Sequence, residues 1–353
     1  MKFNLLLIFV SYLMVGVTVS RAAFPSEKYW KHKLPTTPMP SMVHDILYPV
    51  DSEGKPVTIP NRATPNGFYI SCGHNTIPNR ATPNSFYISC GHNTVSNSGP
   101  NRSKLDNVAG LTDTATTNTH FADIPGVSHL FLEKDLYPGS KVNLQFALST
   151  ATGTTFLPQN LAKVTPFSSK KFPEILNLFS VSPKSEEAAV MRKTISNCEE
   201  PTMENEEKYC ATSLESLVEY GTSKIGENAK ALTTVIYGDK VQKIRTKKQQ
   251  YVVRSGVKQI DSDYSVVCHS LPYLYAVFYC HAKTAHTTRT YVVPLVGADG
   301  TKVSAVAICH KDTSKWNPGH VAFQVLKVKP GGVPICHFLT EDNIVWVAKN
   351  NGN

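Results

Sequence analysis

Apolar residues are distributed along this chain in three textures. From Phe3 to about Val19 they form one run behind a single early lysine, closed by Ser20-Arg21-Ala22 and interrupted by Asn4, Ser11 and Tyr12. No other stretch approaches the roughly 18 consecutive apolar residues that a membrane span needs. Residues 1–22 therefore read as a secretory signal peptide, with no membrane anchor. From 23 to about 128, apolar positions are sparse and aperiodic among Pro, Asn, Thr and Ser, the pattern of a flexible arm without its own core.

From about His129 the apolar density rises. HLFLEKDLYPGSKVNLQFAL alternates around a Pro-Gly turn, as an edge strand or hairpin would. Residues 184–197 and 211–226 repeat apolar positions at three- and four-residue steps and are predicted helices. Beyond Lys230 the runs ALTTVIYG, QYVVRSGV, YSVVCHS, YAVFYCH, RTYVVPLVG, KVSAVAICH and VAFQVLKV are short, β-branched and aromatic-rich, so all are predicted strands. Helices grouped before strands predict an α+β fold: one strand-rich domain over 129–349, with a mainly antiparallel sheet.

The arm contains a tandem repeat. TIPNRATPNGFYISCGHN (58–75) is followed directly by TIPNRATPNSFYISCGHN (76–93), differing only at Gly67 and Ser85. Two copies fall short of a solenoid. Each copy instead presents a Phe-Tyr-Ile-Ser-Cys-Gly-His cluster from an otherwise bland segment.

Charge excludes little. The net charge is +9 with a pI near 9.0, but the basic residues are scattered and no nucleic-acid-binding signature accompanies them. Loose attraction to acidic wall polysaccharide is one use for a basic face. Asn101-Arg102-Ser103 is a glycosylation sequon.

The eight cysteines, in a secreted chain, are disulfide candidates before they are metal ligands. Cys198 and Cys210 lie twelve apart beside the predicted helices, placed to clamp them. The strand-rich half holds four Cys-His dipeptides: Cys268-His269, Cys280-His281, Cys309-His310 and Cys336-His337. Neighbours on a strand point to opposite faces, so each cysteine can be buried while its histidine faces a cavity. Two disulfides and four imidazoles result, a donor set suited to copper and also to zinc or nickel. Mixed Cys/His zinc is disfavoured, because structural zinc sites draw on closely spaced ligands that point together. Cys72 and Cys90 are left to bond each other or to enter a product.

The spacing CH-x10-CH-x27-CH-x25-CH resembles the signature of the BURP-domain family of plant secreted proteins. LFLEKDLYPG, the Cys198/Cys210 pair, WNPGHVAFQVLKVKPGGVPICHF and the early SEKYWKHKLPTTPMP are similar to further family segments. The resemblance implies copper ligands His269, His281, His310 and His337, with Cys268, Cys280, Cys309 and Cys336 as the disulfide partners that shape the site. It also implies one of two roles. Some members are copper-dependent peptide cyclases that use dioxygen to crosslink core peptides in their own arm, which proteases then release. Others are non-enzymatic wall, seed or stress-associated proteins that bind polysaccharide or a partner enzyme.

On the first role, Tyr69 and Tyr87 are the crosslinking side chains. Phe68, Phe86, Ile70, Ile88, Asn66 and Asn84 are candidate partner positions. His320 is kept as a proton carrier or a support behind the ligands, a surface histidine at a strand start being the plainer reading. His286 and Tyr279 are weighed the same way. His32, His44, His120 and His129 are given no role.

Overall fold

The computed structural model describes residues 25–47, 129–146, 154–201, 207–238, 248–260, 262–284 and 287–348, with backbone alone for 68–71 and 86–89. The signal peptide, Asn101, Cys72, Cys90, His120 and His286, and the side chains of both repeats, lie outside the described residues. Among the described residues no helix is long and apolar enough to cross a membrane.

In chain order the elements begin with helices α1 (Pro25–Lys33) and α2 (Ser41–Asp45) and the repeat strands β1 (Phe68–Ser71) and β2 (Phe86–Ser89). β3 (Leu130–Leu132), β4 (Lys141–Leu144), α3 (Gln159–Val164), α4 (Phe172–Leu178), α5 (Glu186–Glu199), β5 (Glu207–Ala211) and α6 (Leu214–Ile225) follow. The remainder is β6 (Ala229–Leu232), β7 (Val235–Tyr237), β8 (Gln249–Val253), β9 (Lys258–Ile260), β10 (Tyr264–Leu271), β11 (Val277–Thr284), β12 (Thr288–Gly297), β13 (Lys302–His310), α7 (Val321–Leu326), β14 (Ile335–Phe338) and β15 (Ile344–Ala348). The fold is strand-rich α+β, as the sequence pattern predicts.

Two antiparallel sheets carry the domain. The first has strand order β5-β11-β10-β15-β6, and the second runs β3-β14-β13-β12-β8-β4, with β7 added on β13 and β9 on β12. They face each other through Val267, Val345 and Val347 of the first sheet and Val306, Ile308 and Leu339 of the second. The stretch around Pro138-Gly139 yields two edge strands rather than a hairpin, because β3 pairs β14 and β4 pairs β8. His129 Nε2 donates to the Gln145 carbonyl at 2.8 Å, so the two edges of the second sheet meet and enclose a core of Phe131, Leu144, Phe146, Tyr251 and Phe338.

The two predicted long helices form close to their expected limits. Ser185 caps α5 by accepting from the Ala188 N–H, and Ser213 caps α6 by accepting from the Ser216 N–H. Each cap satisfies one orphan donor of a helix start. Cys198, in α5, is bonded to Cys210, in β5, so this clamp joins a helix to a sheet edge and not two helices.

Two further predictions need correction. VAFQVLKV is not a strand: it forms α7, begun by His320, whose Nδ1 accepts from the Ala322 N–H, and ended at Lys327 in the left-handed region. The β-branched residues misled here, because burial of Ala322 and Phe323 on one side overrides strand propensity. The second correction concerns the arm. Residues 25–47, read as unpacked, are built into the core. Trp30, Leu34, Val43 and Leu47 are buried with Leu217, Val218, Phe278 and Trp346, and the Trp30 ring packs tilted on Trp346 at 5.7 Å. A few large side chains anchor this segment, too few for a periodic signal.

Helix α6 presses on the same indole through Gly221, where a Cβ would lie 2.6 Å from the Trp346 ring. Alanine is the better helix former by up to about 1 kcal/mol, but overpacking a core typically costs about 1–3 kcal/mol. Gly221→Ala is expected to lower the unfolding free energy by up to about 2 kcal/mol, the difference of those two effects, read as a lower denaturant midpoint at unchanged slope.

Candidate metal centre

The four Cys-His dipeptides form two copies of one arrangement. In the first sheet Cys268 stands directly opposite Cys280 across β10 and β11, and the two are bonded. In the second, Cys309 stands opposite Cys336 across β13 and β14 and is bonded to it. Both pairs have Cα atoms 3.9 Å apart, and the bonded cysteines are fully buried in the outer core of their own sheet. Alternation along the strand sends the following histidine to the opposite, inter-sheet side.

The histidines meet diagonally. Rings of His269 and His281 lie 5.3 Å apart and nearly parallel, at 17°, with Nε2 atoms separated by 3.2 Å. Rings of His310 and His337 repeat this at 5.6 Å and 16°. His281 is also close enough to act electrostatically on His337, which places the two pairs beside one another. Trp316 packs edge-on against His310 at 5.0 Å and lies 4.8 Å from His320.

Tautomers follow from the partners. Asn343 donates its amide N–H to Thr340 Oγ1, while Thr340 donates to Asp342 Oδ1 at 2.6 Å. The Asn343 carbonyl oxygen is thereby turned to His269 Nδ1, 3.0 Å away. An oxygen can only accept, so His269 carries its proton on Nδ1 and presents a bare lone pair on Nε2. That is the orientation by which a carbonyl behind an imidazole readies it for a metal.

His337 keeps part of its surface accessible, but its Nδ1 is sealed from solvent without a hydrogen-bond partner. Burial, then the nearby His129, His281 and His320, pushes its pKa down to about 4. Burial also lowers the pKa of His129. His337 is therefore a neutral ligand-type imidazole at ordinary pH.

The fit to a metal is one of donor chemistry in pairs. Two nitrogens 3.2 Å apart are separated as two ligands each about 2.0 Å from one ion would be. The thiols are consumed in disulfides, leaving imidazoles, a set that suits copper. Among the described residues no group of three or more His, Cys, Asp or Glu side chains is spaced to hold a single ion, so the four rings form two pairs and not a closed cage.

Other residues fall differently from their sequence reading. His320 is a buried helix cap and not a surface strand start. Tyr279 is buried, 5.9 Å from the His281 ring. His129, given no role, stacks near Phe146 at 6.1 Å in the outer core while influencing His337. Asn343, Thr340 and Asp342 give no signal in the sequence because TEDN reads as a plain polar turn, although all but Glu341 are buried.

Two antiparallel sheets, each holding a cross-strand disulfide outside and an imidazole pair inside, define a disulfide-laddered, histidine-centred domain. A BURP-domain profile matches residues 129–348, and the chain belongs to the BURP-domain family. It is 51% identical over 237 residues to BURP domain-containing protein 3 of Oryza sativa subsp. japonica, covering 66% of this chain and 53% of that protein. It is 48% identical over 236 residues to BURP domain protein RD22 of Arabidopsis thaliana, covering 66% and 58%. With BURP domain-containing protein 5 of Oryza sativa subsp. japonica it shares 38% over 332 residues, 94% and 89% of the two chains. The matched region thus spans little more than half the length of the first two relatives.

Removing the Asn343 side chain leaves the buried His269 N–H without its acceptor, a loss of about 1–3 kcal/mol. Asn343→Ala is expected to lower stability by that amount and to release the tautomer, seen as mixed Nδ1–H and Nε2–H forms of His269 in nitrogen-15 spectra. A second expectation concerns acid. The unfolded chain protonates His337 near pH 6.5 but the folded chain only near 4, so stability present above pH 6.5 is lost as pH falls from there toward 4. His337→Gln is expected to flatten that part of the stability-versus-pH curve.

Proposed function

We propose that this is a secreted, copper-dependent peptide cyclase that crosslinks a tyrosine within its own repeats. The observation that carries the reading is the doubled Cys-His ladder, which sets two imidazole pairs on the inter-sheet side while holding every cysteine of the dipeptides as disulfide. His269, His281, His310 and His337 would hold the metal. Copper, when bound, supplies one-electron oxidation with dioxygen as the electron acceptor.

The remaining tasks belong to the chain. Asn343 holds the His269 proton at Nδ1, and Trp316 packs against the rings of His310 and His320. The backbone of β1 comes within 8 Å of β10, Cα to Cα, which supports presentation of the Phe-Tyr-Ile segment to the strand that carries His269. Closing a ring removes one hydrogen from Tyr69 or Tyr87 and one from a C–H or N–H of a neighbouring residue. The two electrons and two protons pass to dioxygen, giving hydrogen peroxide. Substrate and site share one chain, so the effective concentration approaches millimolar, about the value for a flexible tether. Proteases would then release the product.

Incubation of purified protein with copper(II) in air, followed by reduction, alkylation and mass spectrometry, tests this. A loss of two hydrogens mapping to Phe68–Ile70 or Phe86–Ile88 is expected, and is expected to vanish in His269→Ala. Unchanged repeat masses in folded, copper-loaded protein would instead leave a non-enzymatic wall protein as the better reading.

A further inference from the structure

The repeats lie between two anchored points of the domain. On the far side is β3, built into the second sheet. On the near side, residues 25–47 are held by more than apolar packing. Trp30, 1% exposed, donates its indole N–H to the Thr37 carbonyl at 2.8 Å. Thr37 donates its hydroxyl to the Ala229 carbonyl at 2.7 Å, tying the segment to β6. The Tyr29 hydroxyl donates to Glu219 on α6 at 3.1 Å, and the Ile46 carbonyl accepts from the Phe156 N–H at 2.8 Å. Leu34, Val43 and Leu47 complete the apolar contact.

We propose that residues 25–47 are a strap that stays bound when the chain between it and the domain is cut, so that the processed protein is a two-chain complex. Its partner surface is the outer face of the first sheet with α6, centred on Trp346. Release of the strap would expose that indole, Phe278 and Phe156 to water, at about 25 cal/mol for each Å² of apolar surface uncovered. Cutting in the intervening chain leaves every one of these contacts in place. Removal of the repeats therefore does not dismantle the cleft, and the domain outlives its arm. The inference is independent of any chemistry assigned to the histidines.

The experiment uses the full chain with a specific protease site inserted between Lys55 and Pro56. All eight cysteines lie on the C-terminal side of that site, so no disulfide can join the fragments. After cutting, co-elution of both fragments in native gel filtration and their separation in urea is the expected result. Separation under native conditions, with the larger fragment still folded by circular dichroism, would overturn the proposal. Trp30→Ala is expected to lower retention of the small fragment at least tenfold, and undiminished retention would remove Trp30 as the anchor. Should that variant fail to fold, Thr37→Val removes the bond to Ala229, and a labelled peptide of residues 25–47 is expected to exchange into cut wild-type protein and not into uncut protein. Equal exchange into both would also overturn the strap.

Discussion

Everything in this domain depends on two cysteine pairs set directly opposite one another on neighbouring antiparallel strands. A direct cross-strand bond fixes register, and in a strand register decides which side chains face which way. A slip of one residue in one strand of either pair would drive its histidine into the apolar outer core and turn its cysteine toward the other sheet. The bonds Cys268–Cys280 and Cys309–Cys336 forbid that slip in both sheets at once. Adjacency of Cys and His in the sequence is thus a positional device, with the covalent half on one face aiming the basic half on the other.

The outer face of the first sheet has its own organising contact, the Trp30–Trp346 pair with Gly221 against the same ring. Trp346 and Val345 are neighbours on β15, one pointing to the helices and strap, the other to the inter-sheet core. The N-terminal segment, helix α6 and the inter-sheet core beside the histidines are linked through that single strand. Asn343 lies just before it and fixes the His269 tautomer.

Much of this was legible in the sequence where local pattern and tertiary demand agree. Helices over 186–199 and 214–225 carry clear periodicity and serine caps, and β10 through β13 are long β-branched runs. The four dipeptides announced the ladder because opposite-facing neighbours are a local property of strands. What stayed hidden depended on contacts far apart in sequence. Tyr29 and Thr37 of the strap bond partners about 190 residues away, Trp30 packs on Trp346 farther still, and no periodicity reports that. α7 hid behind β-branched residues, and Asn343 behind a turn whose composition is that of a solvent-facing loop. The division of the imidazoles into pairs is a matter of side-chain placement, on which spacing in the sequence is silent.

The repeat strands carry one more consequence. β1 and β2 pair in parallel and in register, Phe68 with Phe86, Tyr69 with Tyr87, Ile70 with Ile88. A ribbon of two identical, uncharged, β-prone segments matches the stacking unit of a fibril, in which each strand templates the next copy. Within one chain the ladder stops at two rungs for want of a third repeat. Repeat peptides brought together from many chains would have no such limit, and Pro60, Pro65, Pro78 and Pro83, none able to donate to a ladder, would be the breaks that keep the template short.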